Sequence, residues 1–175
     1  MMKIHSDDFC IKSALNTMFP YMPGDVCLID IDRIETMAQI QNCILMKTCK
    51  NDRVVGLSRN GVMSQVIKGY SRFIPVLNIS DDVFTWRTRL NDLMNTPEGG
   101  RETWLAMIEN VLSLNSFTQK ERRIIFNINS CSDMSHIAKK NGMDIKTAYS
   151  HRSAIQKKLN LRTSCELHTF FLKLQ

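Results

Sequence analysis

The sequence predicts two domains, an α/β domain built on a four-stranded parallel sheet and an all-α domain that follows it. Up to residue 95, short apolar runs alternate with helical patterns, whereas only helical periodicity follows residue 100. Between them, Pro97 and the pair Gly99-Gly100 interrupt both patterns. We therefore expect an α/β domain over 1–95, a linker and connector helix over 96–115, and an all-α domain over 116–175.

The strands of the first domain are predicted from unbroken apolar runs that end at polar residues, as in strands buried on both faces of a parallel sheet. They are Val26–Ile29, Val54–Leu57 and Phe73–Leu77, and a weaker first strand contains Met2 and Ile4. Helical patterns follow them over 9–19, 33–46, 60–71 and 82–94. This alternation favours an open sheet with right-handed crossovers.

Apolar residues at helical spacing predict five helices in the rest of the chain, of which the first is the connector. Thr118 and Glu121 fit a capping box, and Asp133 and Asp144 are placed to cap the next two helices. Asn141-Gly142-Met143 predicts a tight turn between these two. Two short helices joined by such a turn, with a basic second helix, form a helix-turn-helix motif.

The net charge of +6 lies entirely in the second part of the chain. Residues 1–100 hold 11 basic and 11 acidic side chains, whereas residues 101–175 hold 12 basic and 6 acidic ones. This asymmetry favours a polyanionic partner for the second domain, although a solvated basic surface without a ligand has the same composition.

The sequence carries no pattern of an enzyme, a metal site or a membrane protein. It has neither a Walker loop nor a G-x-S-x-G motif, and the spacings between His136, His151 and His168 match no zinc site. The six cysteines form no C-x-x-C pair, and no apolar run is long enough to cross a bilayer. We therefore predict no catalytic residue, metal or cofactor, and reduced, mostly buried thiols in a cytoplasmic protein.

Residues 117–167 resemble the LuxR-type (GerE-like) DNA-binding domain without a gap. Phe117-Thr118-x-x-Glu121 corresponds to the family's L-T-x-x-E. The run His151-x-x-x-Ile155-x-x-Lys158-Leu159-Asn160-Leu161-Arg162-Thr163 corresponds to H-x-x-x-I-x-x-K-L-G-V-R-T. Ile137-Ala138, Met143-Asp144 and Thr147-Ala148 stand at further family positions. The resemblance implies a bacterial, cytoplasmic transcription regulator whose partner is double-stranded DNA.

Three positions depart from the family pattern. Asn160 replaces a glycine, and asparagine enters the left-handed backbone region more readily than most residues. Asn141 stands where the family keeps a core leucine, so the first helix of the motif is expected to end early. Tyr149 replaces a lysine that commonly reaches DNA, so the choice of target is expected to differ.

The helix from Asp144 to Leu159 is expected to bury one face and to present the other to DNA. The inward side chains are predicted to be Ile145, Ala148, Ile155 and Leu159. Base edges are assigned to Tyr149, Ser150, Ser153 and Arg152, and phosphates to Lys146, Thr147, Lys157 and Lys158. His151 is assigned to packing or to a phosphate.

Residues 1–95 resemble the receiver domain of response regulators, with parts missing. Asp7-Asp8 look like its acidic pair, Asp25–Asp30 looks like D-V-x-L-L-D with Asp30 as phosphoacceptor, and Ser58 falls at its Ser/Thr position. No lysine stands near Asn78-Ile79, where the family has one. The spacing between Asp8 and Asp30 indicates that one strand–helix unit is absent. Asp30 is therefore either a working phosphoacceptor or a remnant of a degenerate receiver.

The resemblances leave two functions open. The first is a sequence-specific regulator that binds DNA as a homodimer or with another LuxR-type regulator, without control by phosphorylation. The second is an auxiliary subunit that binds DNA poorly alone and pairs with another response regulator. In both, the pairing surface is expected over 60–71, 73–78 and 82–94, with Val83, Phe84 and Trp86 in the core or at the interface.

Overall fold

The computed structural model describes residues 2–70, 74–95, 100–130 and 133–174. The strands are β1 (Lys3–His5), β2 (Val26–Asp30), β3 (Arg53–Ser58) and β4 (Val76–Asn78). The helices of the first half are α1 (Phe9–Met18), α2 (Met37–Lys47), α3 (Val62–Tyr70) and α4 (Val83–Asn95). Those of the second half are α5 (Arg101–Leu112), α6 (Gln119–Ser130), α7 (Met134–Lys140), α8 (Ile145–Lys158) and α9 (Ser164–Leu174). The predicted fold class is confirmed.

The described strands form one parallel sheet in the order β1-β2-β3-β4. All of β2 and nearly all of β3 are buried, which explains why their apolar runs are continuous. β4 begins at Val76, later than predicted, because Pro75 has no N–H to contribute to the ladder. Phe73, where the strand was expected to start, lies outside the described residues.

Local capping sets several helix starts. α2 begins at Met37 and not near residue 33, because Thr36 and Gln39 form a capping box. Asp133 and Asp144 cap α7 and α8 as predicted, and the predicted capping box of Thr118 and Glu121 opens α6. The left-handed backbone expected at Asn160 is confirmed, with φ 56°. α7 ends at Lys140 with Asn141 as its C-cap.

One face of the sheet is covered by α1 and α4. Phe19, just after α1, stacks on Trp86 of α4 with ring centroids 6.2 Å apart. The indole N–H of Trp86 donates to the carbonyl oxygen of Asn78 at 2.8 Å, which ties α4 to the end of β4. Trp86 is therefore a core residue, whereas Val83 and Phe84 are exposed.

The other face of the sheet is covered by α2 and α3, together with α5, the predicted connector. Trp104 of α5 is fully buried there and donates from its indole N–H to the carbonyl oxygen of Val54 at 2.8 Å. The apolar core on this face runs without interruption from β2 to Phe170 and Phe171 of α9. The α/β half and the helical half thus share one core through α5. The division at residues 95 and 115 stays a prediction.

Two expectations about side chains are wrong. Ile145 is 47% exposed, because it stands at the first position of α8, before that helix reaches the core. Of the described cysteines, only Cys27 is fully buried, and burial raises the pKa of its thiol to about 12. Cys10, Cys49 and Cys165 are exposed. None of the described helices is both long and apolar enough to span a membrane.

Candidate nucleic-acid interface

The second helix of the helix-turn-helix motif, α8, begins at a firmly capped turn. The Asp144 carboxylate accepts from the Thr147 backbone N–H at 2.9 Å and from its hydroxyl at 2.5 Å. These hydrogen bonds hold the pKa of Asp144 below its usual range. The cap and the left-handed Gly142 (φ 63°) fix the angle at which α8 leaves the turn.

The outer face of α8 carries most of the side chains assigned to DNA. Ala148 and Ile155 are buried on the inner face, whereas six of the assigned residues are exposed, Lys158 and five others. The five others are Lys146, Tyr149, Ser150, Ser153 and Lys157. They form a surface of hydroxyls and cations, the groups that bind base edges and phosphates.

Tyr149 and Arg152 contact each other at the edge of this face. The guanidinium carbon of Arg152 lies 4.6 Å from the centroid of the Tyr149 ring, which is a cation–π contact. Tyr149 is 46% exposed, and Arg152 is half-buried beside it. The Arg152 side chain extends from this contact towards α7 and α9, where it lines a pocket with Ile137 and Leu167, and its Nε atom is buried. The ring therefore limits the rotamers of a guanidinium that lies at the edge of the outer face.

Three assigned residues already make side-chain hydrogen bonds within the protein, and one of them is Ser150, whose hydroxyl donates to the Lys146 carbonyl oxygen at 3.0 Å. The Thr147 hydroxyl donates to the cap residue Asp144. The Lys158 ammonium lies 2.7 Å from the buried carboxylate of Glu121 and 3.1 Å from the Ser116 carbonyl oxygen. Burial raises the pKa of Glu121, but the hydrogen bonds from Lys158 and Thr118 outweigh it and hold that pKa below its usual range. Lys158 therefore joins α8 to the start of α6.

Sequence reasoning missed two further cations near this surface. Lys139 and Lys140 lie in the last turn of α7, are exposed, and are separated from Lys146 by the turn of the motif. The two adjacent lysines just before Asn141-Gly142 were the available signal, because they add positive charge next to the turn that leads into α8.

The second group of predicted residues lies at the carboxyl end of the sheet. Asp30, the candidate phosphoacceptor at the end of β2, is 1% exposed. Its Oδ2 atom accepts from the Ser6 hydroxyl at 2.8 Å and from the Arg59 guanidinium at 3.2 Å. Asp8 caps α1 with Oδ1, and its Oδ2 lies 3.1 Å from the same Arg59 nitrogen. Asp7 is exposed.

Arg59 is the cation that joins the two carboxylates. The amide of Ile11 and the guanidinium of Arg59 help to lower the pKa of Asp8. Burial lowers the pKa of Arg59, but Asp30 and Asp8 outweigh it and raise that pKa. A protein cation thus engages the Oδ2 atoms of both carboxylates, where it neutralises part of the negative charge that would attract a divalent cation.

Asp32 closes the loop that carries Arg59. Its carboxylate accepts from three backbone N–H groups, those of Arg59 at 2.7 Å, Gly61 at 3.0 Å and Ser64 at 3.2 Å. A Cβ atom at Gly61 would lie 2.4 Å from Oδ1 of Asp32, so glycine is required for this approach. Ser58, at the end of β3, is buried and accepts from the Asn60 amide and from Lys68.

Solved structures of the response regulator RcsB have a similar fold. An RcsB–DNA complex matches with a TM-score of 0.67 and 14% sequence identity, over 99% of this chain and 98% of that chain. A structure of two RcsB dimers bound to two parallel DNAs matches with a TM-score of 0.60 and 15% identity, over 94% and 82% of the two chains. RcsB from Salmonella enterica serovar Typhimurium bound to the promoter rprA matches with a TM-score of 0.57 and 16% sequence identity, over 91% of this chain and 81% of that chain. No family model and no curated protein matches the chain.

The chain has the fold of a response regulator. The match covers both halves, the parallel sheet with its helices and the helix-turn-helix domain. At 14% identity the likeness concerns the fold, so the roles of individual residues depend on the contacts described above.

The helical half covers part of the surface expected for pairing. Asn160 donates from its side-chain amide to the backbone oxygen of Gln65 at 3.0 Å, and a Cβ atom at Gly69 would lie 2.3 Å from the Asn160 Cβ. α3 is therefore engaged within the chain. Among the described residues of the predicted surface, the large apolar side chains that are exposed are Val83 and Phe84, at the start of α4.

Proposed function

We propose that this chain is a LuxR-type transcription regulator that binds double-stranded DNA through the outer face of α8. The observation that carries the proposal is the row of exposed hydroxyl and cationic side chains on the outer face of α8, with Tyr149 among them in contact with Arg152. A capped turn fixes how that helix projects from the motif. The fold shared with structures of RcsB–DNA complexes supports the same reading.

Specific recognition is assigned to the middle of α8, and attachment to its ends. Tyr149, Arg152 and the hydroxyls of Ser150 and Ser153 contact base edges. Lys146 and Lys157 contact phosphates. Thr147, whose hydroxyl is engaged by the cap, lies at the N-terminal end of α8, where a helix favours a phosphate. Lys158 positions α8 against α6 through Glu121.

The regulator acts as a dimer and without phosphorylation of Asp30. One recognition helix reads only a few base pairs, so two copies on paired half-sites multiply specificity. The exposed Val83 and Phe84 lie on the part of the pairing surface that α9 and Asn160 leave free. Arg59 engages Asp30 and Asp8 directly, which supports a degenerate receiver whose working state needs neither Mg²⁺ nor a phosphoryl group.

Selection of bound duplexes from a random DNA pool, at moderate and at raised salt, tests this function. We expect the bound duplexes to share a two-fold symmetric motif at both salt concentrations. Tyr149→Ala should reduce the base preference at defined positions in each half-site. Tyr21→Ala is the matched control, because Tyr21 is 96% exposed in the other half of the chain. Specific recognition would be contradicted if the selected duplexes share no motif and the affinity falls steeply with salt. Binding through phosphate contacts alone behaves in that way.

The auxiliary-subunit function is favoured by one observation, the coverage of α3 by the helical half. A chain that uses only Val83, Phe84 and β4 has a smaller surface for pairing with itself. Sedimentation of the purified protein separates the two functions. A dimer at micromolar concentration supports the regulator, whereas a monomer that binds the selected DNA only beside a second response regulator supports the auxiliary subunit.

A further inference from the structure

A cavity of about 290 Å³ opens beside β1, the strand at the edge of the sheet. Its walls come from β1, from α1 and α2 on either side, and from the end of β2. The apolar part of the lining consists of Ile4, Ile34 and Cys43. The cavity is large enough for a small organic molecule, and none of its lining residues belongs to α8.

Two buried polar atoms of the lining residues have no hydrogen-bond partner in the described parts of the chain. Oδ1 of Asp30 is one of them, although Oδ2 of the same carboxylate accepts from Ser6 and Arg59. Nε2 of His5 is the other. A buried carboxylate oxygen without a donor is costly, so this wall of the cavity is suited to a ligand that donates a hydrogen bond.

Three cations surround this polar wall. Lys12 of α1, Lys47 of α2 and Arg33 line the cavity, and Arg33 also lies 3.3 Å from Asp8. Asp7 is the exposed acidic residue at the rim. Burial, and then the charges of Lys47, Lys12 and Lys3, lower the pKa of His5, so its imidazole is neutral at pH 7. The cations therefore have no imidazolium beside them, and an anionic group is the complement they favour.

We propose that this cavity binds a small organic anion, a carboxylate or phosphate ester, that also carries a hydroxyl group. The anionic group contacts Lys12 and Lys47, the hydroxyl donates to Oδ1 of Asp30, and the carbon skeleton lies on Ile4 and Ile34. His5 contributes Nε2 as a second hydrogen-bonding atom. The site is separate from the DNA interface and does not depend on the proposed function.

Titration of the isotopically labelled full chain, followed through the imidazole resonances of His5, tests the proposal. Glycerate and glycerol 3-phosphate carry both required groups, propionate carries only the anion, and glycerol carries only hydroxyls. Each is added at constant ionic strength and pH. Saturable shifts at His5 are expected for the first two, with at least about tenfold weaker binding of propionate and glycerol, which corresponds to about 1.4 kcal/mol.

Variants assign the binding to the cavity. The double variant Lys12→Gln, Lys47→Gln should weaken binding of both hydroxylated anions at least about tenfold, and Lys50→Gln, an exposed lysine outside the lining, should leave it unchanged. Backbone spectra verify that each variant is folded. Absence of saturable shifts with both anions, equal binding of propionate, or equal loss in Lys50→Gln would each overturn the proposal.

Discussion

The ring of Trp104 lies where a side chain at Gly56 would lie. A Cβ atom built on Gly56 would be 2.9 Å from Cη2 of Trp104, and the indole N–H of Trp104 donates to Val54 two residues earlier in β3. The missing side chain in the sheet and the tryptophan in α5 are therefore complementary. Through this contact the α/β half and the helical half form one packed unit.

Gly56→Ala is therefore expected to destabilise the whole chain by about 1–3 kcal/mol, because the added methyl group overpacks the contact with Trp104. Urea denaturation followed by circular dichroism measures the change. Gly100→Ala is the control, since a Cβ atom at Gly100 would meet nothing within 4 Å. Equal destabilisation in the two variants would contradict the complementarity.

Lys158→Gln is expected to lower the free energy of unfolding by about 1–3 kcal/mol at pH 7, because it leaves the buried Glu121 carboxylate without its charged donor. The folded-state pKa of Glu121 lies below its ordinary value of 4.5, so this stabilisation is fully present above pH 4.5. It is lost as the pH falls through the lower folded-state pKa. Urea denaturation from pH 7 to pH 3 should therefore show the difference from wild type shrinking in acid, and a constant difference would contradict the pairing.

Lys157 and Lys158 are neighbours in sequence but are expected to differ in DNA binding. Lys157→Gln should reduce the slope of log K against log salt by about 0.9 per bound copy, because one phosphate contact is lost. Lys158→Gln should leave the slope unchanged, since its ammonium is engaged by Glu121 and Ser116. Fluorescence anisotropy over a salt series gives both slopes. A reduced slope in Lys158→Gln would return that residue to the phosphate-binding set.

Features set by near neighbours in the chain could be predicted from the sequence. The caps at Asp133 and Asp144 and the left-handed Asn160 depend on a few adjacent residues, and the structure confirms all three. β2 and β3 could be predicted from continuous apolar runs, because a strand that is buried on both faces is apolar at every position.

Contacts between distant residues could not be predicted in this way. Arg59 joins Asp8 and Asp30 from 51 and 29 residues away, and no local pattern marks it. Lys158 followed the helical pattern of an exposed cation, yet its partner Glu121 lies 37 residues earlier. Periodicity shows which side of a helix is polar, but it does not show which polar side chains are already paired.

Arg59→Gln is expected to make the acidic end of the sheet responsive to Mg²⁺. Without the guanidinium, the carboxylates of Asp8 and Asp30 repel each other and become available to a divalent cation, so Mg²⁺ should raise the Tm of the variant. The wild type should show no such rise, and no phosphoryl mass on Asp30 after incubation with Mg²⁺ and acetyl phosphate. Arg33→Gln is the control, because Arg33 contacts Asp8 from a more exposed position. A phosphoryl group on wild-type protein that Asp30→Ala removes would contradict the proposed independence from phosphorylation.

Tyr149 and Arg152 are expected to contribute to specific DNA binding as a coupled pair. Because the guanidinium lies 4.6 Å from the centroid of the Tyr149 ring, Tyr149→Ala is expected to remove both the proposed base contact and the contact with Arg152. Affinities of wild type, Tyr149→Ala, Arg152→Ala and the double variant for the selected duplex give the interaction energy, expected at about 0.5–2 kcal/mol. Tyr149→Phe keeps the ring and should retain most of that coupling while losing any contact made by the hydroxyl. Additive losses from the two alanine substitutions would show that the residues act separately on DNA, and equal affinity of all four proteins would place the reading surface elsewhere on the helical half.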